Sequence, residues 1–294
     1  MNYKRAVIDC SSLCYADAYS LKGLKTSEIE TSVIFGFLNQ ILSLSERFKT
    51  NKFVLCWDSK GSKRAEIFPE YKAKRKQKRK DGTEEEKAFY HSLIRQIVRL
   101  QQEIIPFIGF RNSFSVDGLE ADDIMADIVI GYPYCVMVTD DEDLFQMLGY
   151  ADMYKPRTEV IWTPEKFNAH YGISVDKWVQ VKSIGGCTSD EVPGVKGVAE
   201  TTAIKWLLGI LKPTHKTYQA ILSGKEIIKR NKKLVSLPFP GTPEFELKRD
   251  EFNMGNLMKV ADEYWIDSYK TKIGMQRWEN FFNRSFSIWE RGLK

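Results

Sequence analysis

The sequence has no uninterrupted apolar stretch of the length a membrane-spanning helix needs, so no transmembrane segment is expected. Nor does its start read as a signal peptide, because Lys4 and Arg5 run at once into a short apolar run and then Asp9. Cysteine is scarce. Cys10, Cys14, Cys56, Cys135 and Cys187 are odd in number, widely spaced and mostly set in apolar runs, which leaves no readable disulfide framework or zinc-ligand pattern. A reducing, cytoplasmic compartment is the expectation. There is no internal repeat, and at 43% hydrophobic residues the composition is not that of a disordered chain. Its 294 residues suffice for one large core, or for a core with a small appended module.

Charge is present but unevenly placed. The formal net charge is only +5, yet Lys and Arg crowd residues 60–80 while acids crowd residues 117–143. That separation suggests a phosphate-bearing partner beside a metal site.

Three short segments rich in Val or Ile end at a carboxylate: residues 6–9 close on Asp9, residues 53–58 on Asp58, and residues 136–141 on Asp140 and Asp141. Such runs read as buried parallel strands. Between the first two, residues 26–48 set Ile29, Val33, Ile34, Phe37, Ile41, Leu42 and Leu44 at helical spacing, which makes a strand-helix-strand unit. An α/β fold with a central, mainly parallel sheet flanked by helices is therefore predicted. Right-handed crossovers point all the strands' carboxyl ends to one edge, so Asp9, Asp58 and Asp141 should converge there. Taken singly, each is more readily a helix cap. Three together, with further acids nearby, favour a site.

Those further acids come in two runs. Glu120, Asp122 and Asp123 open a segment whose apolar residues Ala121, Ile124, Met125 and Ile128 have helical spacing, and Asp140, Asp141, Glu142 and Asp143 lead into another helix. The helix dipole accounts for one or two such acids, not for all of them. Packed carboxylates repel one another unless cations bind between them, and oxygen ligands without histidine select a hard cation such as Mg2+ or Mn2+. Two such ions can activate water and stabilise the leaving oxygen of a phosphodiester.

Residues 60–80 carry Lys60, Lys63, Arg64, Lys72, Lys74, Arg75, Lys76, Lys78, Arg79 and Lys80 against only Glu66 and Glu70. A charge run is ordinarily a solvated helix face. Its place directly after Asp58 instead favours an element that grips phosphates over the acidic site, with Tyr71 and Phe89 or Tyr90 as stacking surfaces. Glu84, Glu85 and Glu86 then precede a Leu- and Ile-bearing helix, a pattern that fits a movable arch. Residues 181–211, with paired glycines at 185 and 186 and a Pro-Gly-Val-Lys-Gly stretch from 193, read as helix, tight turn and helix.

In this order the motifs resemble the 5′-nuclease or flap-endonuclease superfamily, in particular the small stand-alone bacteriophage members of the 5′-3′ exonuclease and RNase H type. The resemblance covers most of residues 4–237. It rests on the strand ending at Asp9; on Trp57 and Asp58 followed by Arg64 and by Phe68, Pro69, Glu70, Tyr71, Lys72, Ala73, Lys74 and Arg75; on Gly118 to Asp123; on Asp141 to Leu148; and on Pro193 to Val198. It implies a PIN-like nuclease core over residues 1–178, with a basic helical arch at about 60–100, and a helix-hairpin-helix region with a C-terminal tail over residues 179–294. The implied enzyme is a monomeric, Mg2+-dependent 5′-3′ exonuclease and flap endonuclease of phage DNA replication, with Mn2+ as substitute, acting on branched or 5′-ended DNA and on RNA–DNA hybrid as a further substrate.

By the same resemblance Asp9, Asp58, Glu120, Asp122 and Asp123 would surround a first metal ion, and Asp141, Asp143 and Asp190 a second. Lys72 and Arg75 would contact the scissile phosphate, Tyr71 would stack on a terminal base, and Arg64 and Lys74 would hold DNA. Gly194, Val195, Lys196 and Gly197 would hold duplex backbone, with K+ at the turn.

Two departures from the family pattern stand out. Cys187 occupies the place of an expected aspartate, and thiol is a poor Mg2+ ligand, so the second position is weaker, borrows Glu142 or Glu191, or favours Mn2+. Ala199 and Thr201 replace a glycine and a lysine common in the hairpin motif, which weakens the grip expected there. The competing readings are a PIN-like endoribonuclease and a catalytically silent DNA-binding relative. The tail from Glu244 onward either packs on the core or meets a replication protein, and its Trp265, Trp278 and Trp289 are of a type more often buried than at an interface.

Overall fold

In the computed structural model, which describes residues 3–26 and 29–284, the strands are β1 (Arg5–Asp9), β2 (Lys25–Thr26), β3 (Ile29–Glu30), β4 (Phe53–Cys56), β5 (Ser113–Phe114), β6 (Cys135–Val138), β7 (Asp152–Lys155), β8 (Val160–Trp162), β9 (Gly186–Cys187) and β10 (Val192–Pro193). Six of them form one sheet in the order β5-β4-β1-β6-β7-β8, parallel except where β8 pairs with β7, while β2 with β3 and β9 with β10 form two-stranded sheets. Strand β1 lies inside the sheet, in register with β4 and β6. Ala6, Val7 and Ile8 are fully buried there because both faces of the sheet are covered.

The two-residue period of the strands divides the core. Ala6, Ile8, Phe53, Leu55, Val136 and Val138 face one layer, where the helices Cys10–Ser20 and Ser32–Phe48 pack. Val7, Val54, Cys56 and Met137 face the other, against Ile124, Met125 and Ile128 of the helix Ala121–Gly131 and against Phe145 and Trp178. Phe37 and Trp57, both almost wholly buried, stack at 5.5 Å in the first layer, and truncating either would cost about 3–5 kcal/mol.

The sheet holds six strands where three were legible, because β5 and β8 are only two and three residues long and β7, though as long as β4 and β6, begins and ends on a charged residue. The helix expected from residue 26 starts at Ser32, its first residues being taken by the β2–β3 hairpin. The boundary expected between 178 and 179 falls inside the helix Trp178–Gly185, and a single apolar cluster runs from Val7 to Ile221 across it. The tail packs on the core through Leu257, Val260, Trp278 and Phe281. Trp278 is buried, but Trp265 is 63% exposed at a left-handed turn, and Trp289 lies outside the described residues. All five cysteines are free and buried, and no helix among the described residues is long and apolar enough to cross a membrane.

Candidate metal centre and its basic arch

Because β4, β1 and β6 are parallel neighbours, their carboxyl ends deliver Asp9, Asp58 and Asp141 to one edge. Each also caps the element that follows or adjoins it. Asp9 Oδ1 accepts from the Ser12 N–H at 2.9 Å, Asp58 Oδ1 from the Ala121 N–H at 2.9 Å, and Asp141 Oδ1 from the Asp143 N–H at 2.8 Å. Capping and clustering are not alternatives here, since a carboxylate that caps with one oxygen keeps the other for the site. The Thr139 hydroxyl, fully buried, donates to Asp9 Oδ2 at 3.2 Å and accepts from the Asp141 N–H at 3.1 Å, tying two of the three together.

The helix Ala121–Gly131 adds Glu120 at its N-cap and Asp122 in its first turn. Burial, and then the Asp58 charge, push the Asp9 carboxyl up to about 7. Burial followed by the Asp143 charge raises Asp141 to about 6, and burial with Asp141 and Asp9 raises Asp122 well above the carboxylate range. A divalent cation would relieve this crowding, and an almost all-oxygen donor set suits Mg2+. The residues therefore fit such ions. Asp143, Cys187 and Asp190 form a second grouping, with one ligand atom of each lying within 4.8 Å of the others.

Asp123 differs from the expectation. Its two oxygens receive the Arg64 guanidinium in a bidentate pair at 2.7 Å each, and they also accept from the Phe239 and Glu120 N–H groups. With no surface exposed and both oxygens taken by Arg64 and by backbone N–H groups, this carboxylate is a structural clamp. Arg64, expected on DNA, is equally committed: it is 3% exposed and its Nε donates to the Leu234 carbonyl at 2.7 Å. Tyr71, expected to stack on a base, is buried with Cys187, Val192 and Leu234, and its hydroxyl lies 2.9 Å from Glu120 and 3.0 Å from Asp190. A phenol so placed orients carboxylates and offers no open face to a base.

Lys72 closes the site from the arch side. Its ammonium lies 2.8 Å from Glu120 and 3.3 Å from Asp190, while its N–H donates to the Asp190 carbonyl at 3.1 Å. Burial disfavours the charge of Lys72, but Glu120 and Asp190 outweigh that and hold its pKa above the usual lysine range. Burial likewise works against Glu120, yet Lys72 and Arg64 keep its carboxyl below the usual range. Lys72 has a left-handed backbone, φ 52°, just before the basic helix Ala73–Asp81. Arg75 is exposed, with its guanidinium 2.9 Å from the Ser189 carbonyl and 3.5 Å from Asp190. Lys74 is exposed on the same helix.

A basic first turn opposes the helix dipole, and the chain offsets this from a distance. Glu191 accepts from the Lys74 N–H at 2.8 Å and the Arg75 N–H at 3.3 Å. Glu142 is paired with Lys155 at 2.6 Å. Glu191 thus spends both oxygens on the arch helix and is not spare for the second metal position, while Glu142 spends only Oε1 on Lys155. The following helix, Glu84–Arg99, begins with a capping box between Thr83 and Glu86. The rings of Tyr90 and Phe89 already carry the Arg79 guanidinium and the Lys22 ammonium, at 4.5 and 5.5 Å.

Beyond the arch, the helices Trp178–Gly185 and Glu200–Leu207 flank an antiparallel hairpin of Gly186–Cys187 with Val192–Pro193. Glycine is obligatory at 194, where a Cβ would sit 2.2 Å from the Gly185 carbonyl carbon. Val195 is buried and donates its N–H to the Ile184 carbonyl at 2.8 Å, whereas Lys196 and Gly197 are exposed at the tip. Lys182, which sequence reasoning missed, lies 3.1 Å from Asp143 and 3.2 Å from Glu200.

Residues 4–172, more than half of the chain, match the family model of the 5′-3′ exonuclease N-terminal resolvase-like domain. The 5′-3′ exonuclease of Bacillus subtilis is 32% identical over 192 residues, covering 62% of this chain and 60% of that one. The thermostable DNA polymerase I of Thermus thermophilus is 31% identical over 209 residues, covering 68% of this chain; the chain spans only 23% of that polymerase. Among solved structures, the zinc-bound bacteriophage T5 5′-exonuclease superposes with a TM-score of 0.68 at 22% identity, over 80% of this chain and 90% of that one. The bacteriophage T5 flap endonuclease in complex with DNA and metal ions gives 0.66 at 20% identity, over 96% and 98% of the two chains. The chain belongs to the 5′-3′ exonuclease family defined by that N-terminal resolvase-like domain.

Proposed function

We propose that this chain is a divalent-metal-dependent nuclease, using Mg2+, that hydrolyses phosphodiester bonds of 5′-flapped or 5′-ended DNA as a monomer. The observation that carries the reading is the convergence of Asp9, Asp58, Glu120, Asp122 and Asp141 on one sheet edge, with Lys72 of the arch base held against them. Asp9, Asp58, Glu120 and Asp122 would hold one ion, and Asp141, Asp143 and Asp190 a second. When bound, such ions supply Lewis acidity and lower the pKa of water.

The protein's own side chains do the positioning. Lys72 and Arg75 present an ammonium and a guanidinium where negative charge gathers on the phosphate oxygens during displacement. The Tyr71 hydroxyl and the αL backbone of Lys72 fix Glu120, Asp190 and the ammonium relative to one another. Lys74 on the arch would hold phosphates of the flanking duplex together with Lys196 and Gly197 at the exposed tip, Gly194 and Val195 shaping the turn, with K+ as the expected ion there.

The test is cleavage of labelled 5′-flap, gapped-duplex, single-stranded DNA, RNA–DNA hybrid and single-stranded RNA substrates in Mg2+, Mn2+ or EDTA. Metal-dependent cutting at the flap junction or from the 5′ end is expected. Cutting of single-stranded RNA alone would replace this reading with an endoribonuclease, and binding without cutting in every metal would leave a DNA-binding relative.

A further inference from the structure

The two halves of the acidic edge differ in donor chemistry. Around Asp9, Asp58 and Asp122 the donors are oxygen, whereas the Asp143, Cys187 and Asp190 grouping contains a sulfur. Cys187 is 4% exposed, and its Sγ is aimed between carboxylates, 3.2 Å from Asp143 Oδ2 and 3.0 Å from Ser189 Oγ. The hairpin pairing of Cys187 with Val192 fixes that direction. Both flanking carboxylates already have cationic partners: Lys182 lies 3.1 Å from Asp143, and Lys72 and Arg75 lie 3.3 and 3.5 Å from Asp190. A dication of either kind must share the carboxylates with those cations, so it is the sulfur that distinguishes one ion from another.

From this we infer that the position formed by Asp143, Cys187 and Asp190 is a mixed sulfur–oxygen site that selects a thiophilic divalent cation of the zinc class over Mg2+. The inference rests on the metal-dependent reading above and adds the identity of one ion. Zinc-class ions bind thiolate and carboxylate together, while Mg2+ takes oxygen and releases its waters reluctantly. On binding, the Cys187 S–H bond breaks, its proton passes to solvent, and a sulfur–metal bond forms; no electron is transferred. Ser189 and Lys182 are the neighbours such an ion would meet on the hairpin and helix sides.

The experiment is a Cd2+ titration of the reduced full chain, followed by the ultraviolet sulfur-to-metal charge-transfer band and by cadmium NMR, whose shift separates sulfur from all-oxygen ligation. One sulfur-ligated Cd2+, displaced by Zn2+ but not by a large excess of Mg2+, is expected. The band should vanish in Cys187→Ser, and Cys187→Asp should raise Mg2+ affinity at this position about tenfold by calorimetry. All-oxygen ligation in the unsubstituted chain, no Cd2+ binding, or a band that persists in Cys187→Ser overturns the inference. The cadmium NMR result needs no variant, so a misfolded substitution does not blunt the test. Flap cleavage in Mg2+ on the same preparation keeps the two readings apart. Cleavage with all-oxygen ligation sinks only the sulfur site, and sulfur ligation without cleavage in any metal sinks only the nuclease.

Discussion

Two basic side chains at the arch base meet carboxylates of the same helix start, and they are put to different uses. Arg64 binds Asp123 with both nitrogens at 2.7 Å, with neither residue more than 3% exposed. Lys72 meets Glu120 at 2.8 Å, but its side chain keeps 24% exposure and its ammonium also faces Asp190. Every guanidinium nitrogen has a partner in the protein, and with the Leu234 carbonyl and the Phe239 N–H the pair joins four segments at a depth no substrate reaches. The ammonium pair sits at the mouth of the cluster and can exchange partners. Burial, more than the sign of the charge, separates the clamp from the working group.

That contrast can be broken most forcefully at the clamp. Arg64→Ala should lose about 3–5 kcal/mol of unfolding free energy, because it strands the buried Asp123 charge; Arg64→Lys should recover little, since a single ammonium cannot reproduce the bidentate pair. Chemical denaturation decides it, and a loss below about 1 kcal/mol would mean that Asp123 is free to serve elsewhere.

At the working pair the effect should move from stability to rate. Lys72→Ala is expected to cut flap cleavage by about 10²–10³-fold while costing less stability than Arg64→Ala, since Glu120 keeps the Tyr71 hydroxyl and the nearby Arg64 charge. Lys72→Gly should lose the same activity yet be about 1 kcal/mol more stable than Lys72→Ala, because the left-handed backbone at 72 suits glycine. Equal losses of stability at 64 and 72 would erase the distinction.

A third carboxylate shows what happens without a cation. Asp17 is buried, accepts only from Gln40 at 2.7 Å on one oxygen, and is pressed by helix Ser32–Phe48 so closely that a Cβ at Gly36 would lie 2.5 Å from its Cγ. Burial raises its carboxyl to about 7, with the Gln40 hydrogen bond opposing in part. Because the folded pKa lies above the unfolded one, the stability it confers is complete below about pH 4 and is lost as pH rises through about 7. In metal-saturated buffer the slope should be on the order of 1 kcal/mol per pH unit across that window, and Asp17→Asn should flatten it. A wild-type and Asn variant with parallel pH profiles would contradict the assignment. The smallest change in rate is expected from Tyr71→Phe, which removes a hydroxyl shared by Glu120 and Asp190 and should lower cleavage several-fold without altering metal stoichiometry.

The parts of the site legible in sequence are those encoded locally. Asp9, Asp58 and Asp141 announce themselves because each ends an apolar strand, and Glu120 and Asp122 because each opens a helix with a clear apolar face. Asp123 has the same local signature as Asp122, and only the arrival of Arg64, 59 residues away, sets it apart. Tyr71 lies within a specific motif, yet the motif does not say that its ring is covered by Cys187, Val192 and Leu234. Glu191 reaches the arch helix from 117 residues away, and Lys182 reaches Asp143 from the next layer of the fold.

The sequence by itself determined the α/β class, the edge on which the carboxylates gather, and the basic element that follows Asp58, because strand periodicity and crossover handedness are properties of short segments. Tertiary structure alone decided which charged groups neutralise one another inside and which stay available at the surface. A buried ion pair is chosen by distance and desolvation between segments far apart in the chain, and neither quantity is written in local sequence.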